Sequence, residues 1–264
     1  LLPRRALSIP PFGDLADPRR MATIAAAAEA NGWDGIFVWD HLLRPVEQAT
    51  HIADPWVTMT AMAMVTRTIT IGPMVTPIAR RRVMKLAREA ATLDLASGGR
   101  LILGIGLGVD SGGELIRTAE ITDPRERANV LDEALPVLAR LLAGEHVVHR
   151  GPRVTIDGIT LAPTGLQQPR IPIWLAARGG HLAPVRRAAR YEGVCLLDVT
   201  PDRYRRITEV IEHERGGTSG YAIAMQSPNP FDPADFPGLA WAIREFPPDV
   251  TAAAVEAVVG APPE

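Results

Sequence analysis

The chain has 264 residues, 47% of them apolar, 22% charged and 5% aromatic, which excludes disorder along its whole length and supplies material for a sizeable core. With 28 Lys and Arg against 30 Asp and Glu, the formal net charge is -2, so no overall basic field exists to attract nucleic acid or an anionic membrane, and small molecules are the expected partners. No apolar stretch approaches the ~20 residues that cross a bilayer, the start Leu1-Leu2-Pro3-Arg4-Arg5 has no signal-peptide core, and cytoplasmic residence is the expectation.

Ala6 to Pro10 reads as a first strand, and Pro18 opens a helix that Asn31-Gly32 stops. The unbroken apolar run from Gly35 to Trp39 is a second strand, covered on both faces. Asp54-Pro55 is a cap followed by proline at the first helical position, and that helix continues to Val65. Ile69 to Val75 is the third strand. Arg81 to Leu95 is an amphipathic helix ended by Ser97-Gly98-Gly99, before a fourth strand from Leu101 to Ile105. Asp123-Pro124 repeats the cap-and-proline signal, and the helix behind it carries Leu131, Leu135, Leu138 and Leu142 at helical spacing, with Pro136 expected to kink it. Residues 145–161 alternate around Gly151-Pro152 and read as an inserted hairpin. Then follow a fifth strand (Ile171 to Ala176), a helix (His181 to Arg190), a sixth strand (Gly193 to Leu197), a helix (Pro201 to His213), a seventh strand (Tyr221 to Gln226), an eighth (Leu239 to Ile243) and a last helix to Val259.

Eight strands alternating with helices predict an α/β fold, a closed (β/α)8 TIM-type barrel forming one domain over residues 1–264. The connection before strand eight is irregular: residues 227–238 hold four prolines and leave no room for a normal crossover helix, unless residues are missing there. A doubly wound sheet is the alternative, but its Gly-rich turn after the first strand is lacking. The single Cys195 lies in the apolar run Val194-Cys195-Leu196, where a small buried residue is expected.

In such a barrel the chemistry sits at the carboxyl ends of the strands. Asp40-His41 stands at the exit of strand two, where imidazole suits acid–base work and the acid can orient it; a turn cap beside a satisfied rim histidine is the plainer alternative. Arg178-Gly179-Gly180 ends strand five, with glycines that let backbone approach an anion, although a simple tight turn would use them too. Small residues at Gly104, Gly106 and Gly108 leave space for a flat ring. Three arginines, Arg80 to Arg82, oppose the dipole at the start of a helix, so at least one should face an anion or a carboxylate, with solvated surface expected for the other two. No metal set is expected, since His41 with His51 lacks a third ligand, and no Gly-x-Ser-x-Gly elbow occurs. Paired carboxylates for a glycosidase would have to come from Asp40, Asp110 and Asp198.

Gly32-Trp33-Asp34-Gly35 leading to Val38-Trp39-Asp40-His41, then Ile71-Gly72-Pro73-Met74-Val75-Thr76-Pro77, Ala90-Ala91-Thr92-Leu93-Asp94 with Ser97 to Gly106, and Pro172 to Ala177 with Gly179 resemble the bacterial luciferase-like monooxygenase family. The resemblance implies a flavin-dependent oxidoreductase or monooxygenase, using reduced FMN and oxygen on a small organic substrate. The alternatives it implies are hydride transfer with the deazaflavin coenzyme F-420, or a flavin-binding relative without catalysis. It assigns His41 and Asp40 to catalysis. It assigns the cofactor to Pro73, Met74, Val75 and Thr76, a stretch where relatives carry a non-proline cis peptide, to Gly106 and Leu107, and, for the phosphate, to Ala176, Ala177, Arg178, Gly179 and Gly180. Deazaflavin-dependent relatives often place a glutamate just after the Gly-x-Gly that matches Gly106-Leu107-Gly108, and here Val109 stands there. A separate flavin reductase and a homodimer are further expectations, and residues 42–53 and 227–238 are the loops expected to select the substrate.

Overall fold

The computed structural model describes residues 2–44 and 51–263. In chain order its elements are β1 (Arg4–Ile9), α1 (Pro18–Ala30), β2 (Gly35–Val38), α2 (Pro55–Val65), β3 (Thr70–Pro73), β4 (Thr76–Pro77), α3 (Val83–Ser97), β5 (Leu103–Gly106), α4 (Glu114–Arg117) and α5 (Pro124–Leu142). They continue with β6 (His146–Arg150), β7 (Thr155–Thr160), β8 (Ile173–Arg178), α6 (Leu182–Ala188), β9 (Gly193–Leu197), α7 (Pro201–Arg215), β10 (Ala222–Ser227), β11 (Trp241–Glu245) and α8 (Ala252–Val259).

The caps act as the sequence implied. Asp17, Asp54 and Asp123 each accept a backbone N–H from the first turn of α1, α2 and α5, and proline follows each, so free helix-end donors are satisfied before the apolar face begins. Gly98 closes α3 in the left-handed region at φ 73°. Helix α3 starts at Val83 rather than Arg81, because residues 78–80 turn as a 3-10 helix and Arg82 is extended. Helix α5 is one continuous element of 19 residues across Pro136.

The parallel sheet runs β3-β2-β1-β11-β10-β9-β8-β5-β4. Its two end members, β3 and β4, are consecutive pieces of one passage of chain, joined at Met74-Val75, whose peptide bond is cis. The third strand of the barrel therefore pairs with β2 in its first half and with β5 in its second, and a bridge from Ile71 to Leu101 helps to close the ring. Two glycines permit this closure. A Cβ on Gly72 would lie 2.1 Å from the carbonyl oxygen of Ile102, and one on Gly104 would lie 2.1 Å from that of Pro73. Gly104 is thus required by neighbouring backbone, a different reason from space for a ring.

Helices cover the outside of the sheet, and a separate apolar cluster fills the inside, where Phe37, Trp174 and Trp241 meet with ring centroids 5.7 to 6.1 Å apart. Alternation of side chains then carries Ser8, Trp39, Gln226 and Glu245 to the next inner level, at the carboxyl rim. The hairpin β6–β7 is antiparallel and stands apart from the barrel sheet. The connection before β11 holds only a 3-10 turn at Pro233–Asp235, and buried Phe236 and Leu239 anchor it, Phe236 edge-on to Tyr204 with centroids 5.2 Å apart. Beside it a cavity of about 530 Å³ is lined by Trp33, Phe231, Arg244 and Val258, among others. Cys195 is fully buried, and burial pushes its thiol far above the ordinary range. Among the described residues no helix is long and apolar enough to cross a membrane.

Candidate active site

Asp40 and His41 leave the end of β2 and diverge. The Asp40 carboxylate is buried and turned toward β4 and α3. Its Oδ1 accepts from Arg80 Nη2 at 3.0 Å, and its Oδ2 accepts from Arg81 Nη2 at 2.7 Å and from the Thr76 hydroxyl at 2.9 Å. Arg80 Nη2 also donates to the Asp40 carbonyl at 2.8 Å. Three donors thus occupy the oxygens expected to orient the histidine, and Asp40 instead fixes the arginines.

The acid that reaches His41 is Glu114, the first residue of α4. Its side chain is 1% exposed; Oε1 lies 2.9 Å from His41 Nδ1, and Oε2 accepts from Leu42 N at 2.9 Å, Leu43 N at 3.4 Å and Arg80 Nη1 at 3.2 Å. Burial alone would raise its pKa, but the His41 hydrogen bond and charge, the Leu42 N–H and the Arg80 charge outweigh burial and hold it below the usual carboxylate range. An ionised carboxylate only accepts, so Nδ1 of His41 carries the proton and Nε2 is the ring nitrogen left for a ligand. Arg80, 4% exposed, stands between both acids. Two of the three arginines therefore face carboxylates and only Arg82 of the three is exposed, against the two that the sequence places on solvated surface, because two buried acids rather than one meet the run.

Local structure brings Glu114 there. Gly112 and Gly113 both adopt φ 72°, and Asp110 accepts from Leu115 N at 2.8 Å, so the chain turns sharply after β5 and presents the first side chain of α4 inward. The signal lay in the loop after strand four, but at residue 114 rather than 109. Arg44 ties the neighbouring loop down: its Nη1 donates to Ser111 Oγ at 2.5 Å, and its guanidinium lies 5.7 Å from the Trp39 ring and 5.9 Å from the Phe12 ring. Of the substrate-loop residues 42–53, positions 45–50 lie outside the described residues.

The expected cofactor residues divide by face. Pro73, Met74 and Thr76 are buried, whereas Val75, after the cis bond, is half-buried. A Cβ on Gly106 would lie 2.4 Å from Val75 Cγ2 and 3.8 Å from Ala176 Cβ, so this glycine lets Val75 and half-buried Ala176 approach as a low apolar shelf. Leu107 packs against the outer core, and Ala177 is buried. Arg178 ends β8 paired with Asp198, both well exposed, at 63% and 58%. Gly179 and Gly180 have φ of 66° and 79°; Gly179 N donates to Leu197 O at 2.9 Å, and its carbonyl accepts from Arg203 Nη1 at 3.0 Å. The backbone there bends as the anion reading requires, but helix α6 beyond it has only 7 residues. The three glycosidase candidates do not pair: Asp40 is saturated by cations and a hydroxyl, Asp110 caps α4, and Asp198 meets Arg178. Among the described residues no group of His, Cys, Asp and Glu is placed to hold a metal.

A family profile described as luciferase-like monooxygenase matches residues 5–230. An F420-dependent hydroxymycolic acid dehydrogenase of Mycobacterium tuberculosis is 32% identical over 173 residues, covering 65% of this chain and 47% of that protein. The oxygenase component of a flavin-dependent trigonelline monooxygenase from Acinetobacter baylyi is 29% identical over 181 residues, covering 69% of this chain and 48% of that protein. The chain spans about half the length of these relatives. An F420-dependent secondary alcohol dehydrogenase, solved with an F420–acetone adduct, superposes with a TM-score of 0.74 at 22% identity, covering 86% of this chain and 69% of that one, and shares the fold.

Proposed function

The chain belongs to the luciferase-like monooxygenase family, and from that footing we propose that it is an oxidoreductase whose barrel mouth holds a deazaflavin or flavin, with His41 and Glu114 as its proton-handling pair. The observation that carries the reading is the 2.9 Å contact between His41 Nδ1 and buried, ionised Glu114 at the carboxyl ends of the strands. The donor set fits such a cofactor. The shelf of Val75, Gly106 and Ala176 offers a ring face, the Ala176–Gly180 bend offers backbone to a phosphate, and Nε2 is the His41 ring nitrogen that Glu114 does not engage. When bound, the cofactor would supply the redox chemistry, accepting a hydride as F420 or delivering electrons as reduced FMN, that the described side chains do not.

The chain's own part is proton transfer. Nε2 takes the proton of a substrate hydroxyl, and Glu114 stabilises the imidazolium that results, fixing the ring through Nδ1. Arg80 keeps Glu114 ionised and ties it to Asp40. This arrangement favours hydride transfer with coenzyme F420: relatives of that kind are named as dehydrogenases, and a glutamate reaches the histidine after all, from position 114. An FMN-dependent monooxygenase served by a separate reductase is the second reading, supported by the match to an oxygenase component. There His41 would give up a proton rather than take one.

Anaerobic titration of the protein with F420 and with FMN, followed by absorbance and fluorescence, tests the reading. Saturable binding of one of them is expected. Binding of neither ends the proposal, and F420 binding without hydride exchange from any alcohol returns preference to the monooxygenase.

A further inference from the structure

The passage from β10 to β11 lacks a crossover helix, and the outer face of the barrel shows the consequence. Residues 227–231 run as loop toward α8, and between them a cavity of about 530 Å³ is left against β1 and β11. That volume falls within the ~300–1,000 Å³ of small-molecule sites. Leu7, Ala242 and Phe246 belong to the core between sheet and helices, so alternation turns Arg5 and Arg244 to the same outer face. The register pairs Arg5 with Ala242 and Leu7 with Arg244, which sets the two arginines on neighbouring strands, about 7 Å apart along them. The sheet itself therefore separates this cavity from the barrel interior.

Trp33, Phe231, Ala242, Val258 and Pro262 give the cavity apolar and aromatic walls, and no acid lines it. Asp34, beside Trp33 in the chain, accepts from the Arg5 backbone N–H at 2.8 Å rather than from a guanidinium. Among the described residues neither Arg5 nor Arg244 has an ion-pair partner, and the Arg244 guanidinium lies 5.5 Å from the Phe246 ring. The neutral donors of the lining are spent within the chain. Ser227 Oγ donates to Asn229 O at 2.8 Å and accepts from Asn229 N at 3.1 Å, and Trp33 Nε1 donates to Ala261 O at 3.2 Å. Two cations above apolar walls match one anionic group on an apolar body. Two guanidinium forks suit the two oxygens of a carboxylate, whereas a phosphate would carry oxygens that the engaged Ser227 and Trp33 leave without donors.

We propose that this cavity outside the barrel is a second binding site, which takes a small apolar carboxylate, its charge between Arg5 and Arg244 and its body against Trp33, Phe231 and Val258. The inference does not rest on the oxidoreductase reading, because neither arginine touches the barrel mouth. Ser227 ends β10 at the carboxyl rim, so an occupant of the cavity lies against the loop that leaves that rim.

The test is isothermal titration calorimetry of the cofactor-free full chain with 4-phenylbutanoate, 4-phenylbutan-1-ol, 4-phenylbutylamine and inorganic phosphate as probes. The acid should bind saturably, about tenfold or more tighter than the alcohol, and the amine and phosphate should not bind. Arg5→Gln and Arg244→Gln should each weaken the acid about tenfold while leaving the alcohol unchanged. Ala257→Trp, at an exposed position of α8 on the cavity wall, should keep the parent thermal midpoint and abolish binding of the acid. Equal affinity for acid and alcohol overturns the proposal, as does phosphate binding as tightly as the acid. Undiminished binding in Ala257→Trp places the acid elsewhere and overturns it too. An acidic amphipathic peptide that binds where 4-phenylbutanoate does not would make this face a protein interface instead. Should Ala257→Trp not fold, the two arginine variants decide alone. Failure to bind F420 or FMN removes the oxidoreductase reading and leaves this inference standing, whereas failure of the acid to bind removes only this inference.

Discussion

The two halves of the barrel rim solve the problem of polar groups over an apolar core in opposite ways. On the side of β2, β4 and β5, Asp40, Arg80, Arg81, Glu114 and His41 form one buried network in which each acid meets several donors. On the side of β8 to β11, the Arg178–Asp198 ion pair is exposed, and the half-buried Glu245 carboxyl is held above its ordinary range, with burial the largest cause. The first half lowers a carboxyl pKa and the second raises one. The charged carboxylate is thus favoured where a histidine must be held and disfavoured at Glu245.

Arg80 gives the largest expected difference between the halves. Arg80→Ala strips a cation from both Asp40 and Glu114 and leaves two acids buried together, a loss of about 3–5 kcal/mol by comparison with broken buried pairs. A fall in thermal midpoint that Arg80→Lys only partly repairs is the expected outcome, and an unchanged midpoint would show the network to be ornamental. Next in size is catalysis. His41→Ala should leave the midpoint near that of the parent and lower turnover roughly 100-fold or more, as for a lost acid–base group. Glu114→Gln should cost on the order of tenfold, because imidazole remains but loses its fixed acceptor, and an amide N–H must face Leu42 N or Arg80. Equal activity in both variants would move the chemistry away from this half of the rim.

Much of the scaffold was legible because it is written locally. Asp-Pro pairs capped α1, α2 and α5 through contacts within three residues, and the apolar runs fell on the inner sheet. The third strand shows where that stops. From Ile69 to Val75 the sequence reads as one strand, but Gly72 and Gly104 let the backbone close on itself, and the chain changes partner at Met74-Val75. The site was half legible for the same reason. His41 could be placed from the end of its strand, whereas the Glu114 contact spans 73 residues and depends on two left-handed glycines that set a side chain five positions beyond the expected one. The arginine run announced a buried carboxylate through its conflict with the helix dipole, without naming two.

Acid and alkali should separate the halves by a smaller effect of opposite sign. Glu114 has a folded pKa below its reference of 4.5, so its contribution is present above that value and is lost as pH falls through the folded pKa. Glu245 is the reverse: its folded pKa lies above 4.5, so from that value upward the folded state holds the extra proton and loses stability until the folded pKa is passed. Thermal midpoints from about pH 3 to 8 for the parent, Glu114→Gln and Glu245→Gln would show it. The Glu114 variant should lose part of the acid-side slope, and the Glu245 variant should gain on the parent as pH rises; parallel curves would mean that the halves do not differ in protonation.

The smallest expected effect is at Arg178, and it sharpens the contrast because Arg178 is the same residue type as Arg80 at the same rim. Its pair with Asp198 is more than half exposed, so water already solvates both charges, and surface pairs of this kind contribute about 0–1 kcal/mol. Arg178→Ala should therefore leave the thermal midpoint within a few degrees of the parent. If the Ala176–Gly180 bend holds the cofactor phosphate, the same variant weakens cofactor binding and steepens nothing else, a loss that added salt should mimic in the parent because the cation is exposed to screening. A large fall in midpoint would place Arg178 in a buried network like that of Arg80, and would remove the distinction between a structural half of the rim and a recognising one.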